Sequence, residues 1–302
     1  MFKNIYKNIV IGVALTGLFA GGVSAAYPDK PIKMMIGYAP GSSTDIVGRM
    51  IANDLSIALK QPIVVENRGG AAGSLAAEAV AKSNPDGYTI LFAQNGLAIN
   101  VAANPKLPFN GQKDLLPVVG VAATPHILIV NNNSPAKTVA DLMAMLKADP
   151  GKLSFGSSGI GNSDHMAGEL FLATTGLQAI HVPYKGGAPA ITDTLSGQVQ
   201  MSFSAFGVAL PHVKSGKLIA LGTTGPTRAK LLPDVPTIEE AGNLKGYEMS
   251  IVYAVWAPAG VPAPILSKLS KALEQVVASA AFKEKLVNDG GEVMNISTPA
   301  ES

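Results

Sequence analysis

Two stretches of small polar residues, more than a hundred residues apart, have the composition of anion-binding loops. Residues 40–45 read Pro-Gly-Ser-Ser-Thr-Asp and residues 157–163 read Ser-Ser-Gly-Ile-Gly-Asn-Ser, each just before a stretch with helical spacing of apolar residues. The first turn of a helix leaves unpaired amide hydrogens and carries about half a positive charge. Small residues let an anion approach those amides. The candidate ligand-binding residues are Gly41, Ser42, Ser43, Thr44, Ser157, Ser158, Gly161, Asn162 and Ser163.

If the two loops face each other, they form a polar cleft suited to a carboxylate. The alternative is that their serines and threonines are ordinary helix N-caps. Asp45 is unusual for direct anion contact; it could cap amides, orient a water, or pair with Arg49 one turn later.

Weaker candidates come from other predicted strand ends and loops. Gln94 and Asn95 end a predicted strand, where open α/β sheets commonly place ligand contacts. Lys185 precedes a further helix start, and the aromatics of residues 203–206 either wall a pocket or belong to the core. The full additional set is Tyr38, Gln94, Asn95, His165, Tyr184, Lys185, Ser204, Ala205 and Phe206.

Signatures of catalysis are weak in this sequence. No Gly-x-Ser-x-Gly nucleophile elbow or Walker loop occurs, and Asp164 stands where a dinucleotide fingerprint needs its third glycine. His165 and Glu169 share a helix face, but two ligands do not make a metal site. We therefore expect no catalytic residue, no metal and no cofactor.

Composition narrows the class of protein further. The 302 residues are 47% apolar and 15% charged and contain no cysteine, which excludes disulfides, thiolate metal sites and a lipoprotein anchor. The formal net charge of +2 includes Lys3 and Lys7, and residues 1–25 hold no acid, so the chain without them has a net charge of 2 − 2 = 0. A neutral chain without basic runs argues against nucleic acid and anionic membranes as partners.

The first 25 residues have the pattern of a secretory signal peptide. Lys3 and Lys7 precede an apolar run too short to span a bilayer comfortably, and Val23-Ser24-Ala25 places small residues at a cleavage site. We expect cleavage after Ala25, with an uncleaved anchor as the alternative. No later run is long enough to span a membrane, so we expect no membrane insertion.

Elements alternate along the rest of the chain in the α/β manner. Strands are predicted at residues 31–38, 62–66 and 88–93, with helices at 46–60 and 75–82 between them, which implies a parallel sheet with right-handed crossovers. Further strands are predicted at 116–123, 126–130, 153–156, 180–182, 201–203, 219–223 and 249–256. Helices are predicted at 139–148, 164–175, 189–196, 264–279 and 281–288. Residues 225–246 are predicted to be a Pro-rich surface loop.

Several motifs resemble the tripartite tricarboxylate transporter receptor family, also called Bug proteins. They occur in family order across nearly all of the chain after residue 25. They are Tyr27-Pro28-x-Lys30-Pro31-Ile32, Pro40-Gly41-x-x-x-Asp45, Val64-Val65-Glu66-Asn67-Arg68, Pro85-Asp86-Gly87-Tyr88-Thr89, Pro150-Gly151-Lys152-Leu153, Ser157-Ser158-Gly159, His165-x-Ala167-Gly168-Glu169, His181-Val182-Pro183-Tyr184-Lys185-Gly186 and Leu232-Pro233-Asp234-Val235-Pro236-Thr237.

The resemblance implies a periplasmic solute-binding protein of the α/β, type 2 periplasmic-binding fold, whose two lobes close around a small carboxylate. In such receptors the loop matching residues 41–45 holds one carboxylate, and the loop matching residues 157–165, with the stretch near Ser204 and Phe206, supplies the opposing face. Ser42 and Ser43 stand where glycines are commoner, and Gln94-Asn95 replaces smaller residues.

We expect lobe 1 to comprise residues 26–124 and 248–302 and lobe 2 residues 125–247. The expected protein is a monomeric periplasmic receptor that passes a dicarboxylate, tricarboxylate, amino acid or aromatic acid to a membrane permease. Two alternatives stay open: a periplasmic enzyme acting on a carboxylated substrate, and a receptor that presents its ligand to a sensor kinase. The two phenylalanines, Phe203 and Phe206, slightly favour an aromatic acid.

Overall fold

The computed structural model describes residues 27–293, which contain ten strands, ten α-helices and a short 3-10 helix at Ala71–Gly73. The predicted signal peptide and its cleavage site lie outside these residues. The strands are β1 (Ile32–Ile36), β2 (Ile63–Asn67), β3 (Thr89–Gln94), β4 (Leu115–Asn131), β5 (Ser154–Ser157), β6 (Ile180–Pro183), β7 (Met201–Ala205), β8 (Leu218–Thr223), β9 (Ser250–Pro258) and β10 (Glu292–Val293). The helices are α1 (Ser43–Leu59), α2 (Ser74–Ala81), α3 (Gly96–Ala103), α4 (Val139–Ala148), α5 (Ser163–Thr175), α6 (Gly187–Ser196), α7 (Phe206–Lys214), α8 (Ile238–Gly242), α9 (Ala263–Ala278) and α10 (Ala280–Asn288).

The strands form two sheets that share the long strand β4. In the first sheet β1 lies between β2 and β3 in parallel, and β9 joins β3 to the beginning of β4 by antiparallel pairing. In the second sheet β5 lies between β6 and β7 in parallel, and the end of β4 pairs antiparallel with β7 and β8. The α/β, two-lobed fold class is confirmed, with antiparallel pairing confined to the strands that pair with β4 or β9.

β4 passes from one lobe to the other without interruption. Its residues up to Pro125 pair with β9, and from His126 onward they pair with β7. The prediction of two strands broken at Thr124-Pro125 is wrong, because Pro125 occupies the last position paired with β9 and the chain stays extended there. The lobe boundaries given by residue number stay a prediction.

Each lobe has its own apolar core. In lobe 1, α1 and α9 cover one face of the first sheet, burying side chains such as Val47, Ile51 and Leu273 against Phe92 and Tyr253. In lobe 2, helices α4 and α5 cover the second sheet around a core that includes Phe155, Phe171 and Phe203. The other face of each sheet carries a second apolar cluster, around Met35 and Leu91 in lobe 1 and around Ile127 and Ile129 in lobe 2, so both sheets are covered on both faces.

Three helices were not predicted from the sequence. α3 and α7 each begin within two residues of the end of a strand, which leaves no loop to signal the change. α8 lies inside the segment predicted as a loop. It begins with a capping box, in which the Thr237 hydroxyl accepts the Glu240 amide and the Glu240 carboxylate accepts the Thr237 amide.

Candidate ligand-binding site

A cavity of about 1040 Å³ lies between the two lobes. Lobe 1 contributes the ends of β1 and β3, the loop before α1 and the loop at residues 69–73, and lobe 2 contributes the loops before α5 and α6. Of the residues predicted from the sequence, thirteen line it: Tyr38, Gly41, Ser42, Ser43, Thr44, Gln94, Ser158, Asn162, Ser163, Tyr184, Lys185, Ser204 and Ala205. The structure therefore brings the two predicted Gly/Ser loops to opposite sides of one cavity.

The loop before α1 presents unpaired donors to the cavity. Ser42 is the N-cap of α1, and its hydroxyl accepts the Asp45 amide at 3.2 Å. Within residues 27–293 we find no acceptor for the amides of Ser43 and Thr44, nor a partner for the buried Thr44 hydroxyl. These groups lie at the positive end of a 17-residue helix, so a carboxylate placed there satisfies them.

Asp45 holds this loop from behind the cavity. Its carboxylate accepts hydrogen bonds from the Gly41 amide at 2.9 Å, from Arg49 Nε at 2.9 Å and from Asn67 Nδ2 at 2.8 Å. Gly41 has a φ of +78°, a conformation that favours glycine. These hydrogen bonds outweigh the burial of Asp45, so its pKa is lowered. The Gly41 amide is therefore occupied by Asp45 and is not free for a ligand. By holding the loop, Asp45 positions the amides of Ser43 and Thr44 toward the cavity.

The loop before α5 is arranged in a similar way around Asp164. The Asp164 carboxylate accepts the Ser158 amide at 2.5 Å, the Ser158 hydroxyl at 2.9 Å and the His165 amide at 2.9 Å. The Ser163 amide, the first of α5, has no acceptor among the described residues. Burial raises the pKa of Asp164 to about 6, although the Ser158 hydrogen bonds oppose that shift.

A third helix start and a lysine complete the lobe 2 side. The amides of Gly187 and Ala188, at the beginning of α6, lie on the cavity wall and find no acceptor within the described part of the chain. Lys185 is exposed beside them and is the one lysine or arginine on the wall as far as the structure describes it. Three helix starts and one ammonium group on the wall attract an anion, and the one acidic wall residue among those described, Asp164, has its carboxylate engaged by Ser158 and His165.

Two side-chain hydrogen bonds join the lobes across the cavity. Tyr38 Oη donates to Asn162 Oδ1 at 3.2 Å, and Ser163 Oγ donates to Gln94 Oε1 at 3.0 Å. Gly96 lies against this contact, since a Cβ there would come within 2.8 Å of Tyr38 Oη. The two lobes are thus linked directly through their own polar side chains.

Six predicted residues lie off the cavity wall: Asp45, Asn95, Ser157, Gly161, His165 and Phe206. Asn95 instead donates to the Ser250 carbonyl, and Ser157 contacts His181 Nε2 at 2.6 Å. The Gly161 amide donates to His165 Nδ1, and His165 stacks on His181 with a ring distance of 4.0 Å.

The two phenylalanines offered as pocket walls are both core residues. Phe203 is 1% exposed and Phe206 is fully buried, and neither lines the cavity. Phe206 faces away because it is the first residue of α7 and packs into the core of lobe 2 with Ile127 and Ala209. Phe203 and Phe206 therefore do not favour an aromatic ligand.

Several wall residues were missed by the sequence reasoning. They are the loop at residues 69–73, His126, Asp164, the start of α6, Val208 and Ile251. The loop has the same glycine-rich composition as the predicted ones and could have been recognised by it. His126 and Ile251 lie inside regular strands, where nothing in the local sequence marks a wall position.

Within residues 27–293 there is no group of three or more histidine or acidic side chains placed to hold a metal ion. None of the helices in that range is both long enough and apolar enough to cross a lipid bilayer.

Two lobes that close on a cavity lined by unpaired helix amides define a solute-binding receptor. The chain belongs to the tripartite tricarboxylate transporter family receptors: the model of that family matches residues 47–300. It is a binding protein of that family and not an enzyme.

Solved structures of similar proteins agree with this assignment. Rpa4515 of R. palustris with adipate is 32% identical, with a TM-score of 0.86 over 91% of this chain and 92% of that one. MatC of Rhodopseudomonas palustris with bound malate is 30% identical, with a TM-score of 0.81 over 89% and 92%. The periplasmic binding protein BugD is 33% identical, with a TM-score of 0.80 over 91% and 92%.

Proposed function

We propose that this receptor binds a small dicarboxylate in the cavity between its lobes and delivers it to the permease of a tripartite tricarboxylate-type transporter. The observation that carries the proposal is the set of unpartnered amides on both sides of the cavity, at Ser43 and Thr44 in lobe 1 and at Ser163 and Gly187 in lobe 2. One carboxylate binds at the start of α1, and the other binds near the start of α6 and Lys185.

The class of ligand follows from the charges on the wall. Lys185 and the helix starts favour anions, and the solved relatives with adipate and malate each hold a dicarboxylate. A hydrogen bond to a charged group contributes about 1.5–3 kcal/mol. Four or five of them, after ordering costs, correspond to micromolar affinity, about −8 kcal/mol.

We further propose that the receptor works in the periplasm as a monomer after removal of residues 1–25. Export would place it where the solved relative BugD is described to act, as a periplasmic binding protein. Mass analysis of the protein recovered from the periplasm tests the removal of residues 1–25. A chain beginning at Ala26 supports this cleavage, and a chain retaining Lys3 contradicts it.

A thermal-shift screen tests the binding function. The protein is heated with C4 to C6 dicarboxylates, tricarboxylates, matching monocarboxylates, amino acids, and uncharged diols of the same length. At 100 times the dissociation constant a ligand stabilises the fold by about 2.7 kcal/mol, so a dicarboxylate that binds raises the melting temperature by several degrees. A screen in which no carboxylate shifts melting at millimolar concentration overturns the proposal.

A further inference from the structure

His126 is a buried histidine on the cavity wall that the carboxylate contacts proposed above do not use. It lies on β4 opposite Ala205, at the point where this strand enters lobe 2. Its backbone amide donates to the Thr224 hydroxyl at 2.7 Å, and its carbonyl accepts the Thr224 amide at 2.9 Å. Two hydrogen bonds to Thr224 therefore fix the main chain of His126, and with it the position from which the imidazole extends.

The imidazole of His126 finds no hydrogen-bond partner among residues 27–293. The residue is 2% exposed, and within the described residues neither Nδ1 nor Nε2 finds a donor or acceptor. Burial lowers its pKa to about 3, so the ring is neutral at physiological pH. A neutral imidazole has one N–H donor and one nitrogen acceptor. A buried polar group without a partner is unfavourable, so the ring gains from a polar group arriving in the cavity.

The surroundings of His126 favour an uncharged partner over a second carboxylate. The wall residues on the neighbouring strands and helix are apolar or hydroxyl-bearing, namely Ser204, Ala205, Val208 and Ile251. The charged wall residues, Asp164 and Lys185, belong to the α5 and α6 starts. A hydroxyl group both donates and accepts, so it can pair with a neutral imidazole in either tautomer.

We propose that His126 recognises a hydroxyl group on the carbon chain of the bound acid, so that the receptor distinguishes hydroxy acids from the corresponding unsubstituted acids. This inference rests on the proposed function, because it assumes that a carboxylate occupies the cavity. A site built to hydrogen-bond a hydroxyl discriminates against the analogue that lacks it, because the buried polar group is then left unpaired.

Titration calorimetry with matched acids tests the proposal. Malate and succinate differ by one hydroxyl, as do citrate and tricarballylate. We expect the wild type to bind the hydroxylated member of at least one pair about tenfold or more tightly. In His126→Leu that ratio falls to within about twofold of one, with the unsubstituted acid bound as before. His126→Gln, which keeps a donor and an acceptor, retains part of the preference.

Controls separate this inference from the proposed function and from misfolding. His212→Leu changes a histidine on α7 that is off the cavity wall, and it should leave the ratio unchanged. Thermal melting shows whether each variant folds, and His126→Phe, which keeps a ring but has no donor or acceptor, carries the test if His126→Leu does not fold. A wild type that binds dicarboxylates without preferring the hydroxylated member overturns the role of His126 alone. A preference for the hydroxylated acid that remains in His126→Leu also overturns the role of His126. That result is expected if a bound water is the partner of the imidazole. Failure to bind any acid overturns the proposed function and this inference with it.

Discussion

The hydroxyl of Tyr38 in lobe 1 donates a hydrogen bond to the side-chain oxygen of Asn162 in lobe 2, at 3.2 Å across the cavity. Asn162 is the N-cap of α5, so this contact also fixes the helix start that faces the ligand site. Burial raises the pKa of Tyr38, which keeps its hydroxyl protonated and able to donate. Closure therefore combines contacts between the lobes with contacts to the ligand, and either set alone shifts the equilibrium between open and closed forms.

Replacing Tyr38 with phenylalanine should weaken ligand binding without removing the carboxylate contacts proposed above. A neutral hydrogen bond contributes about 0.5–1.5 kcal/mol, so the dissociation constant should rise about 3- to 10-fold by calorimetry. Tyr88→Phe is the control, because the Tyr88 hydroxyl bonds Asp29 away from the cavity. Equal affinities for wild type and Tyr38→Phe would show that the contact does not stabilise the closed form.

A methyl group at Gly96 should hold the lobes apart. The Cβ of Gly96→Ala would lie 2.8 Å from Tyr38 Oη and 3.3 Å from Asn162 Oδ1, so the two side chains that join the lobes must shift to make room for it. We expect a larger radius of gyration by small-angle X-ray scattering in the presence of ligand. Ala102→Val is the control, because Ala102 is exposed on the same helix α3 and lies off the cavity wall. Identical scattering curves for wild type and Gly96→Ala would contradict this account of closure.

Removing the Asp45 carboxylate should lower both stability and affinity. Its side chain is 5% exposed and accepts hydrogen bonds from Gly41, Arg49 and Asn67. Asp45→Ala should cost about 2 kcal/mol in urea unfolding and weaken carboxylate binding, because the loop before α1 is no longer held. Asp54→Ala, which breaks the pair with Lys285, should cost under about 1 kcal/mol and leave affinity unchanged. A loss of stability without any loss of affinity would remove Asp45 from the positioning role.

Asp164 should make the folded protein more stable in mild acid. The pKa of Asp164 in the folded protein is about 6, above the ordinary value of 3.8. Between these two pH values the folded chain keeps a proton on Asp164 that the unfolded chain has released. This stabilisation is present below about pH 4 and is lost as the pH rises through 6. Relative to Asp164→Asn, the wild type should therefore gain up to about 3 kcal/mol between pH 7 and pH 4.

Urea unfolding of both proteins across that range measures the difference, in which the other titrating groups cancel. Asp234→Asn, an exposed loop residue off the cavity wall, is the control. A stability difference that stays constant with pH would show that Asp164 is ionised at its usual range in the folded protein.

Lys185 should distinguish dianions from monoanions. Lys185→Met removes the one ammonium group on the described cavity wall. We expect the affinity for a dicarboxylate to fall about 3- to 10-fold, with a smaller effect at high salt, and the affinity for a monocarboxylate to change less than about twofold. Lys217→Met, an exposed lysine off the wall, is the control. Equal losses for both ligand classes would place Lys185 outside the recognition of the second carboxylate.

Local sequence predicted the regular elements well where their ends carry strong signals. The helix predicted at 139–148 coincides with α4, because Thr138 and Asp141 form a capping box and an Asp-Pro-Gly segment follows it. The two Gly/Ser loops were predicted for the same reason, since they lie between a strand and a helix of clear periodicity.

The remaining wall residues depend on tertiary structure. β4 continues through Thr124-Pro125 because two different sheets pair with its two halves, which no local pattern reveals. His126 lies on the cavity wall because β4 passes there from one sheet to the other. Phe206 is absent from the wall because it begins α7 directly after β7 and packs into the core of lobe 2. Gln94 meets Ser163 across 69 positions of sequence, a contact that only the closure of the lobes creates.

Ligand binding as proposed above requires a carboxylate at a helix start in each of the two lobes. A crystal structure of the protein with the dicarboxylate that stabilises it most tests this directly. We expect one carboxylate within hydrogen-bond distance of the Ser43 and Thr44 amides, and the other facing Ser163, Gly187 or Lys185. A ligand whose carboxylates lie away from these groups, or one bound outside the cavity, would contradict the account.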